Sequence, residues 1–230
     1  MAEQSRSVII KNLANVISLL GVLPVCVLFL DDGYEYIIPL IIFNNVMDDL
    51  DGIVAVKLRI SSAFGAALDN VCDIVAHTVF ALMIGMHFGW ICGVLSLAAA
   101  TAMLIRVVSR IVPGAAVGTG SPTNELMRHM LFVLLLVGAI SIDGASVLAV
   151  VFALHTVSLL VPFRMPGLIR SLTKSAVSIG LVNVALVVAW RVPQAAVVIA
   201  GAFGSTYLYG LTIGAYQWYK GARPGVPSTS

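Results

Sequence analysis

Apolar runs long enough to cross a bilayer constrain this chain more than any other feature. A helical crossing needs roughly 20 mostly apolar residues, and in hydrocarbon only helices and closed barrels satisfy their own backbone. Segments at about 12 to 30, 34 to 56, 60 to 86, 90 to 111, 124 to 141, 144 to 162, 175 to 190 and 195 to 216 meet or approach that length. The seventh is short, so the expected architecture is all-α, a polytopic transmembrane helix bundle of six to eight spans. Only 10% of the residues are charged, where a soluble domain carries about 25%. The mean hydropathy of +1.03 agrees. No stretch is polar enough for a separate soluble domain, so residues 1–230 read as a single integral membrane domain.

The placement of charge says more than its net value of +2, which offers no bulk attraction to nucleic acid. With the N-terminus in the cytoplasm, Arg6, Lys11, Lys57, Arg59, Arg106, Arg110, Arg128, Arg164, Arg170, Lys174, Lys220 and Arg223 fall on or near the cytoplasmic side. Arg191 alone falls opposite, and Asp31, Asp32, Glu35 and Asp143 sit in the outer turns. That asymmetry sets the orientation under the positive-inside rule. Asn12, Asn15 and Ser18 interrupt the first apolar stretch, and no small-x-small cleavage site follows, so it reads as a retained span. Cys26, Cys72 and Cys92 lie inside apolar segments and read as small buried hydrophobes, not as a disulfide framework or a metal knuckle. Residues 112–125 and 162–175 are the two polar interruptions, the first rich in Gly, Pro, Ser and Thr and the second basic and headgroup-facing.

Asp48, Asp49, Asp51, Asp69 and Asp73 crowd onto the ends of two otherwise apolar segments. Ionised side chains at membrane depth cost a few kcal/mol, so such acids face the bundle interior, bind a cation or pair with a base. Too few bases lie nearby to pair them all. Asp48 and Asp51 are three apart, and Asp69 and Asp73 four apart, so each pair shares one helix face. Two such faces brought together make a cage of carboxylates. Oxygen-only ligation suits hard cations such as Mg²⁺, Mn²⁺ or Ca²⁺ better than Zn²⁺. Gly52, Gly65, Ala66 and Ala67 allow close helix packing or close approach of a ligand.

In order, these residues read Asp48-x2-Asp51-Gly52-x2-Ala55-x9-Gly65-x3-Asp69-x3-Asp73. The pattern resembles the signature of the CDP-alcohol phosphotransferase family, D-x2-D-G-x2-A-R-x8-G-x3-D-x3-D, at every fixed position but one. The exception is the arginine, replaced here by Val56, with Lys57 and Arg59 the nearest substitute cations. Asn15-x2-Ser18-x2-Gly21 is similar to a pattern in the first helix of these enzymes and would put Asn15 and Ser18 near the nucleotide. Arg106 and Arg110, followed by GTGSP, are similar to the phosphatidylserine synthase branch.

The resemblance implies phospholipid biosynthesis. A phosphatidyl or phospho-alcohol group would pass from a CDP-linked lipid to a small hydroxyl acceptor, with release of CMP. Serine is one acceptor; glycerol-phosphate, inositol-phosphate and amino alcohols are the others. Asp48, Asp51 and Asp69 would hold one or two ions, Mg²⁺ or Mn²⁺, with Asp73 completing the second ion's ligands and acting as general base. Gly52, Ala55, Lys57 and Gly65 would border the substrate. Arg106 and Arg110 would clamp a carboxylate or phosphate, or else snorkel at the interface. A homodimer in the inner or plasma membrane of a prokaryote, with its site toward the cytoplasm, is the implied setting.

Asp49 is an extra acid, read as lying behind the ligands or as a partner of Lys57. His77 reads as an interior histidine, and His87, His129 and His155 carry no signal. A divalent-cation carrier is the competing class, and it would place its acids near the bilayer midplane. A catalytically silent family member is the third reading, motivated by Val56.

Overall fold

The computed structural model of the chain describes residues 10–111, 120–163, 165–166 and 176–222. Most of both polar interruptions, the C-terminal tail and the side chain of Arg110 lie outside the described residues, as do Arg6, Arg164, Arg170, Lys174 and Arg223. Helices occupy every apolar segment singled out above, and the described residues contain no strand.

The first helix, α1 (Leu13–Val22), tightens into a 3-10 stretch at Leu23–Phe29. Pro24 explains the change, since its ring clashes with the carbonyl one turn back and it has no N–H to give. A short 3-10 turn, Gly33–Tyr36, leads into α2 (Ile37–Lys57). Pro39 is tolerated there because the first turn leaves its N–H groups unbonded anyway. The end of α2 is sharply made. Arg59 takes a left-handed φ of 55°, and the Arg59 and Ile60 amides donate to the Val56 and Ala55 carbonyls at 3.2 and 3.0 Å. This reverse-turn cap closes the helix next to the acidic motif.

Ser62 then caps α3 (Ala63–His87), its hydroxyl accepting the Gly65 amide at 2.9 Å. The remaining helices are α4 (Trp90–Ile111), α5 (Thr123–Ile140), α6 (Gly144–Leu160), α7 (Ala176–Arg191) and α8 (Pro193–Ala222). Asp143 caps α6, accepting the Ala145 and Ser146 amides at 3.2 and 3.4 Å. The Ser146 hydroxyl also donates to it, and these bonds hold the Asp143 carboxyl below its usual pKa.

By length and composition α3, α4, α5 and α8 can each cross a membrane. The α1 region, α6 and α7 are shorter apolar helices, and α2 carries Asp48, Asp49 and Asp51 in its second half. Large apolar side chains cover the outside: Phe29, Val56, Phe64, Met86, Trp90, Val177 and Val198 are all exposed. Buried polar residues, among them Asn44, Asn45, Asp51, His77, His155 and Ser158, lie inside. An apolar exterior around a core with polar groups is the arrangement a lipid solvent favours.

Which loops share an end follows from side-chain contacts. At one end Tyr34, before α2, stacks on His87, the last residue of α3, with ring centroids 3.7 Å apart. Cys92, at the start of α4, reaches the Ala145 carbonyl at the start of α6 at 3.1 Å. At the other end the Ser121 amide donates to the Ser158 carbonyl at 2.9 Å. The end of α2 and the starts of α3 and α5 meet there, and there the acidic motif lies. α1 packs against both α2 and α3, and α3 packs on α4, which packs on α6.

Candidate active site

The aspartate faces of α2 and α3 converge under α1. Asp48, Asp51 and Asp69 each present a carboxylate oxygen within 4.8 Å of the others. Asp73 joins them through hydrogen-bonding contact with Asp48. Carboxylates this close repel, so the arrangement requires a proton or a cation among them. With oxygen as the only charged donor type, the set fits a hard divalent cation of the Mg²⁺ or Mn²⁺ kind, which completes its shell with water and substrate oxygens.

These four aspartates line a small cavity together with Ser18, Gly21, Val22, Asn44 and Cys72. It is small, about 10 Å³, and partly open. From α1 the Ser18 hydroxyl donates to Asp51. From α2 the Asn44 amide donates to the Gly21 carbonyl at 3.4 Å, tying α1 to the helix carrying Asp48 and Asp51. Gly65 is a point of close approach, since a Cβ there would stand 3.0 Å from Asn15 Oδ1 and 3.1 Å from the Ser62 hydroxyl. Asn15 therefore rests on the start of α3, and Ser18, one turn later, reaches the cage.

Gly52, Val56 and Lys57 are exposed at the end of α2, and Ala55 is partly buried. A Cβ on Gly52 would meet nothing within 4 Å, so this face is open. Val56 and Gly52 share it, one turn apart. Arg106 is buried where α4 packs on α6. It is 3% exposed, donates from Nη1 to the Leu159 carbonyl of α6 at 3.3 Å, and is not among the residues lining the aspartate cavity.

Several polar residues at the site went unread in the sequence. Asn124, in the first turn of α5, donates to Asp48 Oδ2 at 2.6 Å. Asp49 is held by residues of other helices and of its own. Its Oδ2 accepts from Asn183 of α7 at 2.7 Å and from Asn45 at 3.3 Å. Asn45 in turn donates to Asn183 Oδ1 at 2.7 Å and accepts from Arg128 Nε at 3.2 Å. Arg128 lies close enough to act electrostatically on Asp49, Asp48 and Glu125. A signal was present: an asparagine inside an apolar run, such as Asn183 in LVNVAL, must find a partner across a helix interface. Cys72, read as a small hydrophobe, is buried and forms part of the cavity wall.

His129 and His155 form a second buried polar cluster. Their rings meet through Nδ1 and Nε2 at 3.1 Å, Tyr207 stacks on His155 with centroids 4.7 Å apart, and its hydroxyl donates to Ser158 at 2.7 Å.

Fold and site together define an all-α membrane bundle with a carboxylate cage on the D-x2-D…D-x3-D spacing. The sequence profile of the CDP-alcohol phosphatidyltransferases matches residues 11–162, and the chain belongs to that family. The match covers α1 through α6 and leaves α7 and α8 outside it. The comparison with curated proteins finds no match. Members of the family transfer phospholipid head groups from CDP-alcohols and are typically dependent on a divalent metal.

Proposed function

We propose that this protein transfers a phosphatidyl group from a CDP-activated lipid to the hydroxyl of a small acceptor, releasing CMP. The observation that carries the reading is the convergence of Asp48, Asp51 and Asp69 oxygens within 4.8 Å, on the spacing of the family motif. Asp48, Asp51 and Asp69 would hold one or two Mg²⁺ or Mn²⁺ ions, with Asp73 available to a second. When bound, the ions neutralise charge on the transferring phosphorus and on the departing CMP. The Ser18 hydroxyl fixes Asp51 in the orientation the cage needs. The acceptor oxygen forms the new bond to phosphorus as the bond to CMP breaks, and Asp73 takes the hydroxyl proton.

Size supports this division of labour. The cavity is about 10 Å³, and by that measure a single water needs about 10–15 Å³. It therefore has room for about one ion or water between the carboxylates and not for a nucleotide with its lipid. The rest of the donor lies over the open face of Gly52, Val56 and Lys57, with Ala55 and Gly65 beneath and Asn15 beside it. The distribution of Lys and Arg supports a cytoplasmic site, and the family resemblance makes a homodimer the expected assembly.

Purified in detergent, the protein should release CMP from CDP-diacylglycerol only with an acceptor and added Mg²⁺ or Mn²⁺. The acceptor panel starts with serine and includes glycerol-phosphate, inositol-phosphate and amino alcohols. Full CMP release in excess EDTA would remove the metal from the mechanism, and no CMP release with any acceptor would remove the transferase reading.

A further inference from the structure

We propose that Asn124 is a positioning residue for Asp48. It fixes which oxygens of that carboxylate face the cation, so metal affinity depends on how the chain enters α5. The inference rests on the metal reading above and deepens it.

The bond itself is direct: Asn124 Nδ2 donates to Asp48 Oδ2 at 2.6 Å across 76 positions of sequence. An amide can present either its oxygen or its nitrogen, and only the nitrogen is compatible with a carboxylate acceptor. A neighbour reinforces that choice. The Thr123 hydroxyl donates to Asn124 Oδ1 at 3.4 Å, occupying the oxygen end and leaving the NH₂ toward Asp48. With one position on Oδ2 held by the amide, the rest of the carboxylate is turned toward Asp73 and the cavity the cation would occupy.

The backbone that presents Asn124 is pinned as well. A Cβ on Gly120 would lie 1.8 Å from the Ser158 carbonyl oxygen and 2.7 Å from Val161 Cγ2, so only glycine fits where the chain passes the end of α6. One residue later, the fully buried Ser121 donates its amide to the same carbonyl at 2.9 Å and its hydroxyl to Glu125 at 2.8 Å. Pro122 then delivers the chain into α5. Asn124 thus stands on a rigid mount outside the two helices that carry the aspartates. Groups that orient a metal ligand from behind typically change metal affinity 10–100-fold when removed.

The test is Mn²⁺ binding to the substrate-free protein, read from loss of the free-ion EPR signal, with the melting temperature measured in parallel. Asn124→Leu keeps the branching at Cγ and loses the donor. It should raise the Mn²⁺ dissociation constant about 10–100-fold, and Asn124→Gln, which retains an amide, should recover part of that. Thr123→Val, which only frees the amide to rotate, should shift affinity in the same direction by less. In CMP release, Asn124→Leu should need correspondingly more Mn²⁺ for half-maximal rate while approaching the wild-type rate at saturation. Wild-type protein that binds no Mn²⁺ would sink the metal reading itself. Wild-type protein that binds, beside a folded Asn124→Leu that binds equally well, would overturn this proposal alone. Should Asn124→Leu not fold, unchanged affinity in Thr123→Val overturns it.

Discussion

Val56 is 71% exposed and shares the open face of α2 with Gly52, one turn earlier. A side chain there has little packing to lose and open space to enter, so Val56→Arg restores the family's cation without burying it. A guanidinium facing the diphosphate makes charge-assisted hydrogen bonds worth about 1.5–3 kcal/mol, so the KM for CDP-lipid should fall about tenfold or more. The melting temperature should stay within a degree or so of wild type. Lost stability with no gain in KM would mean that position 56 meets lipid and not substrate. Lys57 and Arg59 would then be the cations to truncate, both exposed at the same helix end. Arg59 also occupies the left-handed position of the helix cap.

At the scale of elements, α7 is the helix whose role is least expected. It lies beyond the family match, yet Asn183 donates to Asp49, the immediate neighbour of Asp48. Asn45, Asn183 and Arg128 together satisfy an acid that would otherwise sit unpaired among helices, and so tie α2 to α7 and α5. Removing one partner of a partly buried polar pair leaves the other less satisfied, at a cost toward the lower end of about 1–3 kcal/mol. Asn183→Ala should therefore lower the melting temperature, and Asp49→Ala combined with it should cost less than the sum of the two. A double-mutant cycle on unfolding should show coupling of about 0.5–3 kcal/mol. Additive effects would mean that the hydrogen bond contributes no coupling and that α7 is held by its apolar face alone.

Across the whole molecule, two polar regions of the interior lie on adjacent faces of α5. Asn124 and Arg128, one turn apart, turn toward Asp48 and Asp49, whereas Glu125 and His129 sit one position further round. His129 meets His155 and Tyr207, binding α5 to α6 and α8. That second region holds the bundle together away from the cavity, so its loss should be felt as stability and not as chemistry. Tyr207→Phe removes the hydroxyl that donates to Ser158. The change should cost about 0.5–1.5 kcal/mol, a few degrees of melting temperature for a chain of this size. CMP release per folded molecule should be unchanged. A fall in turnover at unchanged stability would instead join the histidine pair to the site.

The helices and the cage were legible in the sequence because both depend on local spacing. Apolar runs of spanning length dictate helices in lipid, and carboxylates three and four residues apart must share a helix face wherever that helix goes. The tertiary structure alone decided what stands behind those carboxylates. Asn124 reaches Asp48, and Asn183 reaches Asp49, across more than 70 and more than 130 positions of sequence, and no periodicity links such pairs. It also decided what Arg106 meets. Spacing made it a candidate clamp, and the packing of α4 on α6 buries it and brings Nη1 to the Leu159 carbonyl. A side chain's face is set by its own helix; what that face meets is set by which helices pack together, and in lipid that is decided by close packing and hydrogen bonds between distant segments.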